Sequence, residues 1–251
     1  MRTNYALLVP PILLVILLGF SCRGGQSKNN AEKDGEGFIS LFDGETLDGW
    51  DYDTLYWRVE DGCMVGEVTL ATLLKRNTFI IKKDLTLEDF ELKVDYRVSE
   101  RGNSGISYRN ELIDTLPYAL KGYQADIDGR NNYTGQNYEE RGREFLAVRG
   151  ERNTIDAAYV SPSHAAVRGM DLPNDSLSRH ILEGGWNEYY IVALGNNLKH
   201  YVNGILMSEV TDNDMTQRRM SGLLGVQVHV GPPMKIEYKN FRLKTIEAQK
   251  D

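Results

Sequence analysis

The chain has 251 residues, of which 41% are hydrophobic, and 29 basic against 36 acidic side chains leave a net charge of -7. This length fits one large all-β domain or two small ones, and the apolar content is sufficient for a packed core. The acidic balance argues against a nucleic-acid partner, because binding to a phosphate backbone needs a concentrated basic stripe.

The N-terminal residues 1–21 have the pattern of a signal peptide. Their apolar run, Ala6 to Phe20, is interrupted by Pro10 and Pro11, whereas a transmembrane helix needs roughly 20 unbroken apolar residues. Cys22 follows a small residue, as the lipid-attachment cysteine of a bacterial lipobox does. This predicts a protein anchored by lipid to the bacterial cell envelope, on the periplasmic or outer-membrane face. An ordinary cleaved signal peptide is the alternative.

Residues 22–36 are almost entirely polar or glycine, which predicts a flexible tether before a folded domain at residues 37–251. Cys63 is the only other cysteine. It follows an Asp-Gly turn and precedes Met64 and Val65, so it is interpreted as a buried structural thiol. Lipidation of Cys22 would therefore leave no partner for an intramolecular disulfide.

The folded part has the pattern of many short strands. Residues 89–97 alternate charged and apolar side chains, which is the period of a half-buried strand. Asp-Gly at 61–62 and Asn-Gly at 203–204 predict two hairpins. About a dozen such strands without a long helix predict an antiparallel β-sandwich or barrel. Residues 129–143 are predicted to be a loop rich in functional groups.

Polar side chains recur along two strands that the sequence predicts at residues 102–109 and 122–128. Because side chains alternate along a strand, Gln124, Asp126 and Asp128 share one face of the second strand. We interpret this face as the floor of a sugar-sized cleft. A solvated outer face is the alternative, since half-buried antiparallel strands show the same alternation.

The strand predicted at residues 225–231 repeats this arrangement. Gln227 and His229 share one face, and three valines share the other. If the apolar side chains of these strands face the core, Asp126 and His229 must face the same cleft.

Several motifs occur in a fixed order along the chain. They are GF at 37–38, FDG at 42–44, GW at 49–50, GNSGISYR at 102–109, GYQADID at 122–128, WN at 186–187, NG at 203–204 and GVQVHVG at 225–231. Together they resemble the 3-keto-disaccharide hydrolase domain family over residues 37–244. The resemblance implies a concanavalin-A-like jelly-roll β-sandwich of two antiparallel sheets. It also implies cleavage of 3-keto-glycosides, in which C3 of the sugar is already a ketone.

The implied reaction depends on the acidity that the ketone gives to the proton on C2. A base removes this proton, the C1 oxygen leaves with help from an acid, and water then adds to the unsaturated sugar. The candidate base and acid are His229, Asp126 and Glu139, and Arg109 is the candidate partner of the developing negative charge. The candidate substrate-binding residues are Arg109, Gln124, Asp128, Tyr138, Arg141, Arg143 and Gln227. Many members of the family have Glu and Gln where this chain has Gln124 and Asp126, so the resemblance assigns no roles at those two positions.

No cofactor is predicted, because the sequence lacks His-Glu-x-x-His, paired Cys-x-x-Cys and Gly-x-Gly-x-x-Gly motifs. A divalent cation such as calcium, held by Asp126 and Asp128, is an alternative. His164, His180 and His200 are interpreted as structural.

A non-catalytic, lectin-like carbohydrate-binding module on the same fold is the alternative function. The many ionisable groups expected at the cleft favour the enzyme.

Overall fold

A computed structural model describes Met1 and residues 33–169 and 175–247. These residues form two β-sheets, one short α-helix, α1 (His164–Gly169), and one 3₁₀ helix (Asp175–His180). Apart from Met1, the predicted signal peptide lies outside the described residues, as do Cys22 and most of the predicted tether. The strands in chain order are β1 (Ile39–Ser40), β2 (Trp50–Asp51), β3 (Trp57–Glu60), β4 (Cys63–Val68), β5 (Thr78–Lys82), β6 (Phe90–Val98), β7 (Asn103–Leu112), β8 (Leu120–Asp128), β9 (Asn137–Glu140), β10 (Glu144–Ala147), β11 (Arg152–Ile155), β12 (Asn187–Leu194), β13 (Asn197–Val202), β14 (Ile205–Asp212), β15 (Leu223–Val228) and β16 (Met234–Thr245).

The two sheets confirm the predicted all-β sandwich. The nine-stranded sheet has the order β11-β14-β13-β12-β6-β16-β4-β3, with β1 beside β16. The seven-stranded sheet has the order β10-β9-β8-β7-β15-β5-β2. Among the strands that the structure describes, β11 and β14 alone pair in parallel. The core lies between the inner faces of the two sheets, as in other aligned sandwiches.

The core side chains are those that the alternating patterns predict. In β6, Phe90, Leu92 and Val94 are fully buried, and the side chains between them are partly exposed. From the facing sheet, Ile106, Ile127, Val226 and Val228 belong to the same buried cluster. Burying one such side chain contributes about 1.5–3 kcal/mol. The strand registers therefore follow from which side chains are apolar.

Both predicted hairpins are present. β3 pairs with β4 through Asp61 and Gly62, and β13 pairs with β14 through Asn203 and Gly204. All four turn residues have positive φ, between 50° and 78°, which is the backbone conformation of a type I′ turn. Cys63 begins β4 and is buried, as expected of a structural thiol.

Two boundaries differ from the sequence-based expectations. The predicted loop at residues 129–143 contains strand β9, which pairs with β8. Residues 33–36 were expected to be part of the flexible tether, but they contact the sandwich. Lys33 forms an isolated β-bridge with Ile39, and the Oε2 of Glu36 forms an ion pair with the Nζ of Lys93 at 2.9 Å. The described fold therefore begins before residue 37. Neither helix in the described part of the chain is long and apolar enough to cross a bilayer.

Candidate active site

A cleft of about 490 Å³ opens on the face of the seven-stranded sheet that points away from the core. This volume lies within the roughly 300–1,000 Å³ that is usual for ligand pockets. Gln124 and Asp126 on β8 form part of its floor, and His229 follows directly after β15. Asp126 and His229 thus line one cleft, as the alternation of the three strands predicts.

The carboxyl group of Asp126 is held at the floor of the cleft by two amides. Its Oδ1 accepts a hydrogen bond from Nε2 of Gln124 at 2.8 Å, and its Oδ2 accepts one from Nε2 of Gln136 at 2.6 Å. Burial raises the pKa of Asp126 to about 7, although both hydrogen bonds act to lower it. The nearby carboxyl of Glu140 adds to the increase. Asp126 can therefore give up or take a proton near neutral pH.

The ring of His229 has a defined tautomer. Its Nδ1 lies 2.5 Å from the carbonyl oxygen of Val230, so Nδ1 carries the proton that it donates to this oxygen. The lone pair is then on Nε2. Burial lowers the pKa of His229, and the hydrogen bond to Val230 opposes this effect only in part. The imidazole is consequently neutral at neutral pH and can act as a base.

A glycine in the GNSGISYR motif allows Gln124 to reach across the floor. A Cβ at Gly105 would lie 2.5 Å from Cγ of Gln124, a distance that real Cβ contacts do not show. The Oε1 of Gln124 accepts hydrogen bonds from Oγ of Ser107 at 3.1 Å and from Nε2 of Gln227 at 3.2 Å. These two donors fix the amide so that its Nε2 faces Asp126.

Strand β9 brings a carboxyl group into the cleft that the sequence reasoning missed. Tyr138 is opposite Gln124 in the pairing of β9 with β8, and Tyr138 and Glu140 both line the cleft. The Oε1 of Glu140 accepts a hydrogen bond from Nδ2 of Asn77 at 3.1 Å and lies 3.6 Å from Nε of Arg141. Burial raises the pKa of Glu140. Arg141 lines the cleft as well, as predicted for a binding residue.

Glu139, the third candidate for proton transfer, is placed elsewhere. It lies between Tyr138 and Glu140, so it points to the opposite face of β9. There its Oε2 accepts a hydrogen bond from Nε of Arg143 at 2.6 Å, and Arg143 also pairs with Asp212 at 2.6 Å. All three side chains are buried away from the cleft. The expectation that Glu139 and Arg143 contact substrate is therefore wrong for this geometry.

Arg109 is also absent from the cleft. Its side chain is 0% exposed and donates to the carbonyl oxygens of Glu88 at 2.7 Å and Gly195 at 2.6 Å, with Asp89 as its ion-pair partner at 3.0 Å. Its φ is 50°, and the pairing of β7 with β8 shifts register directly after Tyr108. This β-bulge breaks the strand alternation that would place Arg109 in the cleft, so its predicted contact with substrate is wrong for this geometry.

Asp128 and Gln227 support the cleft without lining it. The Oδ2 of Asp128 accepts a hydrogen bond from the backbone N–H of Asn132 at 2.7 Å, which shapes the turn after β8. Gln227 is fully buried beside Gln124. Within residues 33–169 and 175–247, no three Asp, Glu, His or Cys side chains are grouped as a metal site requires.

Aromatic rings line part of the same cleft. The Phe145 ring lies 5.2 Å from that of Tyr138 and 4.7 Å from that of His164. His164 thus lies at the cleft, in contrast to its interpretation as structural. His200 is a core residue, as that interpretation expects, and its Nε2 is 2.8 Å from the hydroxyl of Tyr108. His164 and the cleft amides Asn77 and Gln136 lie outside the strands, where side-chain alternation gives no signal.

The sandwich and its concave polar face define a jelly-roll protein of the concanavalin-A-like class. Residues 37–244 match the 3-keto-alpha-glucoside-1,2-lyase-like domain, and the chain belongs to that family. This confirms the resemblance derived from the motifs.

The individual proteins that resemble this chain have low sequence identity to it. A 3-keto-disaccharide hydrolase of Bacteroides thetaiotaomicron is 31% identical over 94 residues, which cover 30% of this chain and 28% of that protein. A predicted glycosyl hydrolase of Parabacteroides distasonis superimposes with a TM-score of 0.54 at 19% identity, over 84% of this chain and 95% of its own. The carbohydrate-binding module CBM66 of Bacillus subtilis gives 0.52 at 17% identity, over 78% and 96%. At these identities the structural matches establish the fold alone.

Proposed function

We propose that this protein is an enzyme that cleaves 3-keto-glycosides, with His229 as the base and Asp126 as the acid. The observation that carries the proposal is the pair itself: a neutral imidazole and a carboxyl group with a pKa of about 7 line one cleft. Membership of the family supports the substrate class. The two groups are carried on either side of β7. Continuing the strand pairings places His229 level with Asp128, two residues beyond Asp126, so two strand spacings across and two residues along separate the backbones, or roughly 12 Å. One sugar ring fits between them.

In the first step, Nε2 of His229 removes the proton from C2 of the 3-keto sugar. The electron pair enters the ketone as an enolate, and Arg141 supplies positive charge at the cleft for the enolate oxygen. The enolate then expels the C1 oxygen, which takes a proton from Asp126. The products are a free alcohol and a sugar with a double bond between C1 and C2.

In the second step, water adds across this double bond. The Asp126 carboxylate takes a proton from the water as its oxygen attacks C1, and protonated His229 returns a proton to C2. Both residues regain their initial protonation states. The net reaction is hydrolysis of the glycoside, with no external oxidant or reductant.

The substrate test compares a glycoside with its 3-keto form. We expect turnover of the 3-keto form alone, because the C2 proton of the unoxidised sugar is not acidic. Deuterium at C2 of the substrate should slow the reaction by a primary isotope effect. Equal turnover of both sugars would indicate an ordinary glycosidase, and binding of either without turnover would indicate a lectin-like module.

The residue test replaces His229 by Ala. We expect kcat to fall by about a hundredfold or more, the usual loss when proton transfer is removed. The matched control is His180→Ala, since His180 is exposed and lies in the 3₁₀ helix outside the cleft. Normal turnover by His229→Ala would contradict the assignment of the base.

We also propose that the mature protein is held at the cell envelope by a lipid on Cys22. The support is the apolar segment that ends at Phe20, two residues before this cysteine in the sequence. Mass spectrometry of the mature N-terminus is the test. An unmodified N-terminus at any residue would contradict lipidation.

A further inference from the structure

Asn77 connects two parts of the cleft that are far apart in the sheet. It directly precedes β5, whereas Glu140 ends β9, and strands β8, β7 and β15 lie between them. In a flat sheet this separation is four strand spacings, or roughly 19 Å. Nδ2 of Asn77 nevertheless lies 3.1 Å from Oε1 of Glu140. The side chains thus meet across the concave face.

The other end of the same amide reaches the neighbourhood of His229. The backbone N–H of Val230 donates to Oδ1 of Asn77 at 2.9 Å. The carbonyl oxygen of Val230 in turn accepts the Nδ1 proton of His229 at 2.5 Å. Rotating the amide of Asn77 by half a turn would place two donors against each other at Val230. Both hydrogen bonds therefore fix one orientation of this side chain.

We propose that Asn77 is a positioning residue, which holds Val230 so that the Nδ1 proton of His229 stays in place and holds Glu140 at the opposite side of the cleft. The assignment rests on the proposed role of His229 as the base. If residue 230 moves, its carbonyl no longer selects the tautomer with a free Nε2. Nothing in the pattern of the strands indicates this role, since Asn77 lies outside them.

A pH profile would not by itself isolate this effect, because many ionisable groups line the same cleft. They include Asp126, Glu140, Arg141, Glu144 and His164. The tautomer of His229 is a more direct readout. The ¹⁵N chemical shifts of the ring distinguish a proton on Nδ1 from one on Nε2, and the His229→Ala protein assigns the signals.

Two variants separate the two hydrogen bonds. Asn77→Asp retains an acceptor for Val230 but loses the donor to Glu140, whereas Asn77→Ala loses both. We expect Asn77→Ala to give a mixture of His229 tautomers and Asn77→Asp to retain the Nδ1 form. In both, kcat on a 3-keto-glycoside should fall by about 10- to 100-fold with KM changed by less than about threefold, since misplaced groups slow the chemical step. The control is Asn213→Ala, whose side chain contacts Asn196 outside the cleft.

The outcomes separate this role from the proposed function. A wild-type protein that turns over no 3-keto-glycoside would refute the proposed function, and the tautomer measurement would still decide the role of Asn77. An unchanged tautomer in a folded Asn77→Ala protein would overturn the positioning role. If Asn77→Ala does not fold, Asn77→Asp decides: wild-type kcat would overturn the proposal, and a reduced kcat with the Nδ1 tautomer retained would support it.

Discussion

Replacing Asp126 by Asn is expected to stabilise the folded protein at neutral and alkaline pH while it removes activity. Asp126 is 8% exposed, and burial raises the pKa of its carboxyl group from an ordinary value of 3.8 to about 7. A charged carboxylate in this position opposes folding. Asn has nearly the same shape and cannot ionise, so it avoids this cost. It loses one of the two hydrogen bonds, because its Nδ2 must face the Nε2 of Gln124 or of Gln136, but this loss is the same at every pH.

The magnitude follows from the change in pKa. Below about pH 4 the carboxyl is protonated in both the folded and the unfolded chain, and the stability that its raised pKa contributes is fully present. Between about pH 4 and pH 7 the unfolded chain releases the proton and the folded chain retains it, so this stability is lost as pH rises. A pKa change from 3.8 to about 7 corresponds to roughly 4 kcal/mol. The Asn variant should not show this loss.

The assay is urea unfolding at several values between about pH 4 and pH 8, with tryptophan fluorescence as the signal. The free energy of unfolding of Asp126→Asn minus that of the wild type should increase across this range by an amount on the order of 4 kcal/mol. Asp51→Asn is the control, because that side chain is exposed on β2. Parallel curves for Asp126→Asn and the wild type would refute the raised pKa and, with it, the reason for assigning Asp126 as the acid.

Two further substitutions test the close contact at the cleft floor and a buried ion pair outside the cleft. Gly105→Ala places a Cβ 2.5 Å from Cγ of Gln124. It should therefore destabilise the fold by about 1–3 kcal/mol through overpacking and reduce kcat by about tenfold. An unchanged free energy of unfolding and unchanged kinetics would contradict the close contact. Arg143→Ala leaves the carboxylate of Asp212 buried without its 2.6 Å partner and should cost about 3–5 kcal/mol in urea unfolding. Arg58→Ala, at a surface ion pair with a 42% exposed guanidinium, should cost less than about 1 kcal/mol, and equal losses for the two arginines would contradict the role of burial.

The sequence by itself determined the strands and most of the cleft floor. A period of two identifies one buried face, so the apolar side chains of β6, β8 and β15 fix which residues point away from the core. Gln124, Asp126 and His229 are at the cleft for this reason. The hairpin turns were equally predictable, because Asp-Gly and Asn-Gly have local backbone preferences that need no distant contact.

The exceptions depend on contacts between distant parts of the chain. The bulge at Arg109 reverses the side on which its side chain lies, and its carbonyl partners Glu88 and Gly195 come from distant segments. In β9, the polar side chains of Tyr138, Glu139 and Glu140 face both sides of the strand, so composition does not distinguish the cleft face from the buried one. Pairing with β8 decides it, and places Glu140 rather than Glu139 at the cleft.

The tertiary structure alone decided the parts of the cleft that come from outside the strands. Asn77 and Glu140 are 63 residues apart in the chain and meet through the curvature of the sheet. Gln136 reaches Asp126 from the turn before β9. Alternation specifies the face to which a strand residue points, but it carries no information on how a sheet curves or where a connecting segment folds back. Those features follow from packing over the whole domain, and they set the pKa of Asp126 and the surroundings of His229.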